Sequence, residues 1–126
     1  MGRFLWVCLG GAVGTGARYL LSNWSRQAFG TAFPVGTLAV NVLGSFLLGV
    51  IMVVGLKTDL ISATTRMTLG TGVMGGFTTY STFNYETIEF FQDKAPRLAL
   101  LNIFATLFGC LAAGLLGITM AKRLVG

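Results

Sequence analysis

Two glycines followed by hydroxyl and aromatic residues, Gly75-Gly76-Phe77-Thr78-Thr79-Tyr80-Ser81-Thr82-Phe83, lie inside a long uncharged stretch of this chain. The segment reads as a helix breaker that frees backbone carbonyls and amides. Hydrocarbon does not tolerate such groups unless they are buried in protein or line a pathway. If the surroundings are a membrane, polar chemistry has been placed inside it.

Composition makes the surroundings a membrane. Hydrophobic residues make up 54% of the chain and charged residues only 10%, with a mean hydropathy of +0.77. The charged fraction is well under half that of an ordinary soluble domain, too little to cover a soluble globule. Uncharged runs extend from Phe4 to Ala17, Gln27 to Leu56, Met67 to Tyr85 and Leu98 to Ala121. Three of them reach the roughly 18 to 20 residues that span hydrocarbon. The first resumes past Arg18 from Tyr19 to Ser25, so four crossings are the economical reading. Gly10-Gly11 and Arg18 leave no hydrophobic core and cleavage pattern for a signal peptide there.

The expected fold is therefore an all-α membrane protein with four transmembrane helices, about 3–25, 34–56, 66–91 and 97–122, the third broken near its middle. Four helices take up roughly 80 residues and leave only short connectors, so the chain is a single transmembrane domain. The connectors, Arg26 to Pro34, Lys57 to Arg66 and Gln92 to Arg97, hold the turn residues and most of the charge. Pro34 and Pro96 are expected to start the second and fourth helices, where a missing N–H costs little.

With four crossings, one side carries Arg3, Lys57, Arg66, Lys122 and Arg123, and the other Arg26, Lys94 and Arg97. Five against three is a weak bias under the positive-inside rule. Charge counting leaves two arrangements open: a termini-in protein, or a chain that inserts both ways and pairs with an inverted copy. The net charge of +5 follows from nine basic and four acidic residues. It includes no clustered basic face of the kind that binds nucleic acid.

Eighteen glycines, about twice the average share, recur at near-helical spacing: Gly10 and Gly14, Gly44 and Gly49, Gly70 and Gly75, then Gly109, Ala113 and Gly117. Small residues let helix backbones approach closely in lipid, so a tightly packed oligomer is expected. Polar residues within the spans are few. Thr37 and Asn41 share one face of the second helix, and Asn102, Thr106 and Cys110 form a stripe on the fourth. Singly, such residues hold helices together, for about 0.6 kcal/mol each. Together with the hydroxyl cluster at 78–82 they form a hydrogen-bonding track.

No acidic residue lies in that track; Glu86 and Glu89 come later, towards the end of the third helix. Cation and proton paths through membranes usually rely on buried carboxylates. Amide and hydroxyl donors, with the positive edges of aromatic rings, suit an anion. Phe83 is the ring placed for this, whereas Phe90 and Phe91 read as packing bulk. Enzyme activity is not expected: the chain has no His, and Cys8 and Cys110 lack metal or redox spacing. A proton-coupled small multidrug exporter would need a carboxylate in the first helix, and none occurs between Met1 and Gln27. A noncatalytic membrane scaffold subunit is the other alternative.

Gly10-Gly11-Ala12-Val13-Gly14 with Arg18, then Gly36-Thr37-Leu38-Ala39-Val40-Asn41-Val42-Leu43-Gly44, and the Gly75 to Phe83 segment ending in Glu86 resemble the signatures of the small fluoride channels of the Fluc (CrcB) family, in order along the whole chain. The resemblance implies an antiparallel dual-topology homodimer in the bacterial plasma (inner) membrane. It implies two fluoride pores and a structural sodium ion at the dimer interface, letting accumulated fluoride leave the cytoplasm. By the same resemblance Asn41 is the pore asparagine, and positions 80 and 83 form the phenylalanine box. Thr37, Ser81, Thr82, Asn102, Thr106 and Cys110 form the polar track, although the last three differ from the Tyr and Ser common there. Backbone carbonyls of Gly75 and Thr78 hold the sodium ion, and Arg18 and Glu86, which match family positions, are open to two readings, vestibule residues or ordinary interfacial charges. Tyr80 departs from the family's Phe by adding a hydroxyl to the ring.

Overall fold

A computed structural model describes residues 1–126 and is entirely helical. Helix α1 (Gly2–Phe29) leads through a short connector to α2 (Val35–Lys57). Next come α3 (Ala63–Met67), a π-helical stretch Thr68–Met74, α4 (Gly75–Phe77), α5 (Tyr80–Gln92) and α6 (Pro96–Val125). Helices α1, α2 and α6, of 28, 23 and 30 residues, are long and apolar enough to cross a membrane. The region between α2 and α6 is assembled from consecutive pieces. Helical geometry runs from Ala63 to Phe77, yields to extended backbone at Thr78 (φ −86°, ψ 159°) and Thr79 (φ −151°, ψ 117°), and resumes at Tyr80.

Local sequence accounts for most of these boundaries. Helix α1 runs past the charged Arg26 to Phe29 because Arg26, Gln27 and Ala28 are good helix formers. It stops at Gly30, whose φ of 80° is left-handed. Pro34 precedes the first helical residue of α2, whereas Pro96 is the first residue of α6. Ser62 caps α3 by accepting from the Thr65 amide at 3.1 Å. Thr79 caps α5 in the same way, accepting from the Thr82 amide at 3.2 Å. A side-chain cap at Thr79 makes α5 a helix with its own start.

The packing is inverted relative to a water-soluble protein. Of the 20 buried residues, six are apolar (Val40, Val53, Met74, Phe77, Ala99, Ala121) and six polar (Ser25, Thr37, Asn41, Thr87, Asn102, Thr106). The rest are glycines, while Phe4, Leu20, Phe108, Leu115 and many other large apolar side chains face outward. Lipid supplies no hydrophobic drive for burying them, so the interior is built from close backbone contact and hydrogen bonds. Against α1, a Cβ at Gly72 would lie 2.8 Å from the Val7 carbonyl oxygen. On the other side, α2 meets α6 where a Cβ at Gly49 would lie 2.9 Å from the Gly114 carbonyl oxygen. Chain regions 63–77 and α6 are thus held against α1 and α2 through their main chains.

Candidate ion pathway

Three polar residues on α2, Thr37, Asn41 and Ser45, follow one another at intervals of four. They lie on one face, about 6 Å apart along the axis. Asn41 is the junction. Its Nδ2 donates to the Thr79 carbonyl at 2.9 Å, and its Oδ1 accepts from the Thr79 amide at 2.8 Å. This two-point pairing fixes which end of the amide is oxygen and which nitrogen. It satisfies both main-chain groups of a residue whose extended conformation takes it out of the helical ladder. An unpaired buried group at Thr79 would otherwise cost about 1–3 kcal/mol.

The hydroxyls around the interruption are similarly engaged. Thr79 Oγ1 donates to Thr82 Oγ1 at 3.0 Å while accepting from the Thr82 amide. Ser81 Oγ lies 3.5 Å from Thr79 Oγ1 on the exposed side. Thr78 Oγ1 donates to the Met74 carbonyl at 3.0 Å. Arg18 reaches from α1 and donates through Nε to the Gly76 carbonyl at 2.9 Å. Desolvating a guanidinium is costly, and this bond to a main-chain dipole ties the charge to the interruption.

Three cavities adjoin this network. One of about 400 Å³ is lined by Asn41, Thr78, Thr79, Tyr80, Phe83, Ile103, Thr106 and Leu107. Its polar lining consists of amide, hydroxyl, phenol and main chain. Thr106 Oγ1 is buried without a hydrogen-bond partner, leaving a donor uncommitted. The Tyr80 and Phe83 rings meet edge-on, with centroids 5.7 Å apart and planes at 66°. A second cavity, about 180 Å³, lies beside Asn41, Ser45, Gly75 and Thr78. A third, about 260 Å³, includes Thr37, Ser25, Arg26, Glu86 and Glu89. Thr37 therefore belongs to one cavity and Asn41, one turn on, to the other two.

The residues singled out from the sequence are distributed unevenly over this geometry. Asn41, Tyr80, Phe83 and Thr106 share the 400 Å³ cavity, and Thr37 and Glu86 share the 260 Å³ one. Asn102 is fully buried and donates instead to Thr87 Oγ1 at 2.9 Å, a hydroxyl that itself donates to the Phe83 carbonyl at 2.8 Å. Cys110 is a half-buried free thiol and lines none of these cavities. Thr79, Ser45 and Thr87 were not singled out as site residues. Thr79 carries a legible signal, a Thr-x-x-Thr spacing that places a hydroxyl cap at a helix start. The Thr87 pairing depends on which helix lies opposite, and no local pattern encodes it.

Long apolar helices around a hydroxyl- and amide-lined interior are the architecture of a multi-pass membrane protein. The family model described as CrcB-like protein, Camphor Resistance (CrcB), matches residues 5–118, and the chain belongs to this family. It is 57% identical over 125 residues to a protein of Sorangium cellulosum named fluoride-specific ion channel FluC, covering 99% of this chain and 98% of that one. A protein of the same name from Anaeromyxobacter dehalogenans is 50% identical over 126 residues, covering both chains completely. One from Geobacter metallireducens is 46% identical over 118 residues, 94% of this chain and 95% of the relative. These relatives are named as ion channels, a class that is not enzymatic.

Proposed function

We propose that the chain is a fluoride-selective channel that lets fluoride leave the bacterial cytoplasm passively across the plasma (inner) membrane. The observation that carries this reading is the 400 Å³ cavity, where Asn41, the uncommitted Thr106 hydroxyl and the paired Tyr80 and Phe83 rings converge. A small, strongly hydrated anion gives up water only where donors replace it, and amide, hydroxyl and ring-edge dipoles do so without a compensating cation. The names of the relatives point to the same ion.

The working unit in this reading is an antiparallel homodimer with two pores. The weak charge asymmetry of the loops favours insertion in both orientations, and an isologous pair brings the same patch of each subunit together. A structural sodium ion fits the carbonyls of Gly75 and Thr78. The amide four residues after Gly75, that of Thr79, is taken by Asn41, and the amide four residues after Thr78, that of Thr82, is taken by Thr79 Oγ1. Gly75 itself is exposed on the subunit surface. Two such pairs from inverted copies supply four oxygen dipoles, the donor set a hard monovalent cation accepts. Bound there, the ion would supply fixed positive charge that holds the two interrupted helices together.

Liposomes carrying the purified protein and loaded with fluoride or chloride test the function. Fluoride loss far above that of empty vesicles, with chloride retained and no dependence on a proton gradient, is the expected result. Fluoride retention equal to that of protein-free vesicles would end the proposal. Tyr80 is 77% exposed on the single subunit, and its hydroxyl adds a polar group to the ring that meets Phe83. Tyr80→Phe is predicted to change fluoride flux severalfold, most simply upward. Equal flux from the two proteins would take this ring out of the rate-limiting path.

A further inference from the structure

We infer that Asn41 and Thr79 are positioning residues for the cation site: their side chains withhold two helical amides and so keep the Gly75 and Thr78 carbonyls free to bind the ion. The inference rests on the sodium part of the function proposed above. In an uninterrupted helix the amides of Thr79 and Thr82 would bond the carbonyls of Gly75 and Thr78, four residues earlier. Here the first donates to Asn41 Oδ1 at 2.8 Å and the second to Thr79 Oγ1 at 3.2 Å. Each withheld amide corresponds to one of the two carbonyls. Asn41 controls Gly75 from another helix, and Thr79 controls Thr78 from within the interruption.

Two other carbonyls of the segment are taken by side chains: that of Gly76 accepts from Arg18 Nε at 2.9 Å and that of Thr79 from Asn41 Nδ2 at 2.9 Å. One carbonyl is thus paired with a guanidinium and one with an amide, while those of Gly75 and Thr78 have lost their helical amides to side-chain oxygens. The pattern also makes Asn41 common to two sites. The side chain that lines the 400 Å³ cavity also lines the 180 Å³ cavity beside Gly75 and Thr78. Anion path and cation site are thus built from the same hydrogen bonds. Thermodynamic linkage then requires any coupling between their occupants to be reciprocal.

The test is sodium-dependent thermal unfolding of the purified full-length protein, titrated with NaCl against N-methylglucamine chloride at constant ionic strength. A ligand that binds only the folded state raises the midpoint with its concentration. Asn41→Ala and Thr79→Val are expected to raise the Na+ concentration for half-maximal stabilisation by roughly tenfold each, the scale of one main-chain hydrogen bond returned to competition with the ion for its carbonyl. Thr79→Ser keeps the capping oxygen and should titrate like the parent protein. Thr106→Val removes a hydroxyl from the same cavity without touching either withheld amide and should also leave the titration unchanged.

Asn41→Ala and Thr79→Val titrating with the parent midpoint would overturn the inference while leaving the sodium site standing. A parent protein whose unfolding is indifferent to Na+ would overturn the sodium reading and the inference together, whatever the fluoride flux. Should Asn41→Ala not yield monodisperse protein, the contrast between Thr79→Val and Thr79→Ser decides the question alone.

Discussion

Replacing Asn41 by alanine is expected to lower fluoride efflux from liposomes by roughly a hundredfold, the largest functional effect predicted for a single side chain here. The change removes a donor from the wall of the 400 Å³ cavity and both hydrogen bonds to Thr79. A hundredfold loss corresponds to about 2.7 kcal/mol at the barrier, within the range for removing a hydrogen bond to a charged group and leaving buried main chain unpaired. Thr106→Val supplies the comparison. It deletes only an uncommitted hydroxyl and should cost less, on the order of tenfold. Initial efflux rates from vesicles of matched protein content, read with a fluoride electrode, measure both. Parent-like flux from monodisperse Asn41→Ala would show that the ion does not pass this residue.

The second large effect concerns folding rather than permeation. Gly14→Ala should destabilise the protein severely, by about 3 kcal/mol, because the new methyl group would run into the Val73 carbonyl and sit 2.9 Å from the Phe77 amide nitrogen. Both obstacles are main chain, so no rotamer change can relieve them. Gly16→Ala, two residues further along α1, meets nothing within 4 Å and should be neutral or slightly stabilising through helix propensity. Detergent-solubilised melting midpoints separate the two. Equal midpoints would mean that α1 does not pack on the 68–77 region as closely as the structure has it.

Much of the fold was legible because its signals are local. Uncharged runs marked the long helices, Pro96 marked the start of α6, and Gly75 to Phe83 pointed to an interruption that in the structure takes the form of extended backbone at Thr78 and Thr79. The extension of α1 to Phe29 was less evident, since charge at Arg26 resembles a connector while helix propensity continues through it. The π-helical stretch Thr68–Met74 has no marker of its own. It occurs where Gly10 and Gly14 bring the α1 backbone against this region, and that approach is a property of two segments together.

The stripe on α6 shows the same boundary within the site. Spacing by four places Asn102, Thr106 and Cys110 on one face, but helices cross at an angle, so one face meets different neighbours along its length. Asn102 meets Thr87 on α5, Thr106 lines the cavity with Asn41 and Phe83, and Cys110 lies outside it.

Membrane residence, the helix-breaking polar segment and the residue types suited to an anion are properties of composition and short-range spacing, readable from the chain alone. The pairing of Asn41 with Thr79, 38 residues apart, and the capture of the Thr82 amide by Thr79 Oγ1 belong to the packed molecule. Hydrogen bonds saturate and have direction: a side chain's identity says what it can bond, but only the element brought opposite decides which amide and which carbonyl it takes.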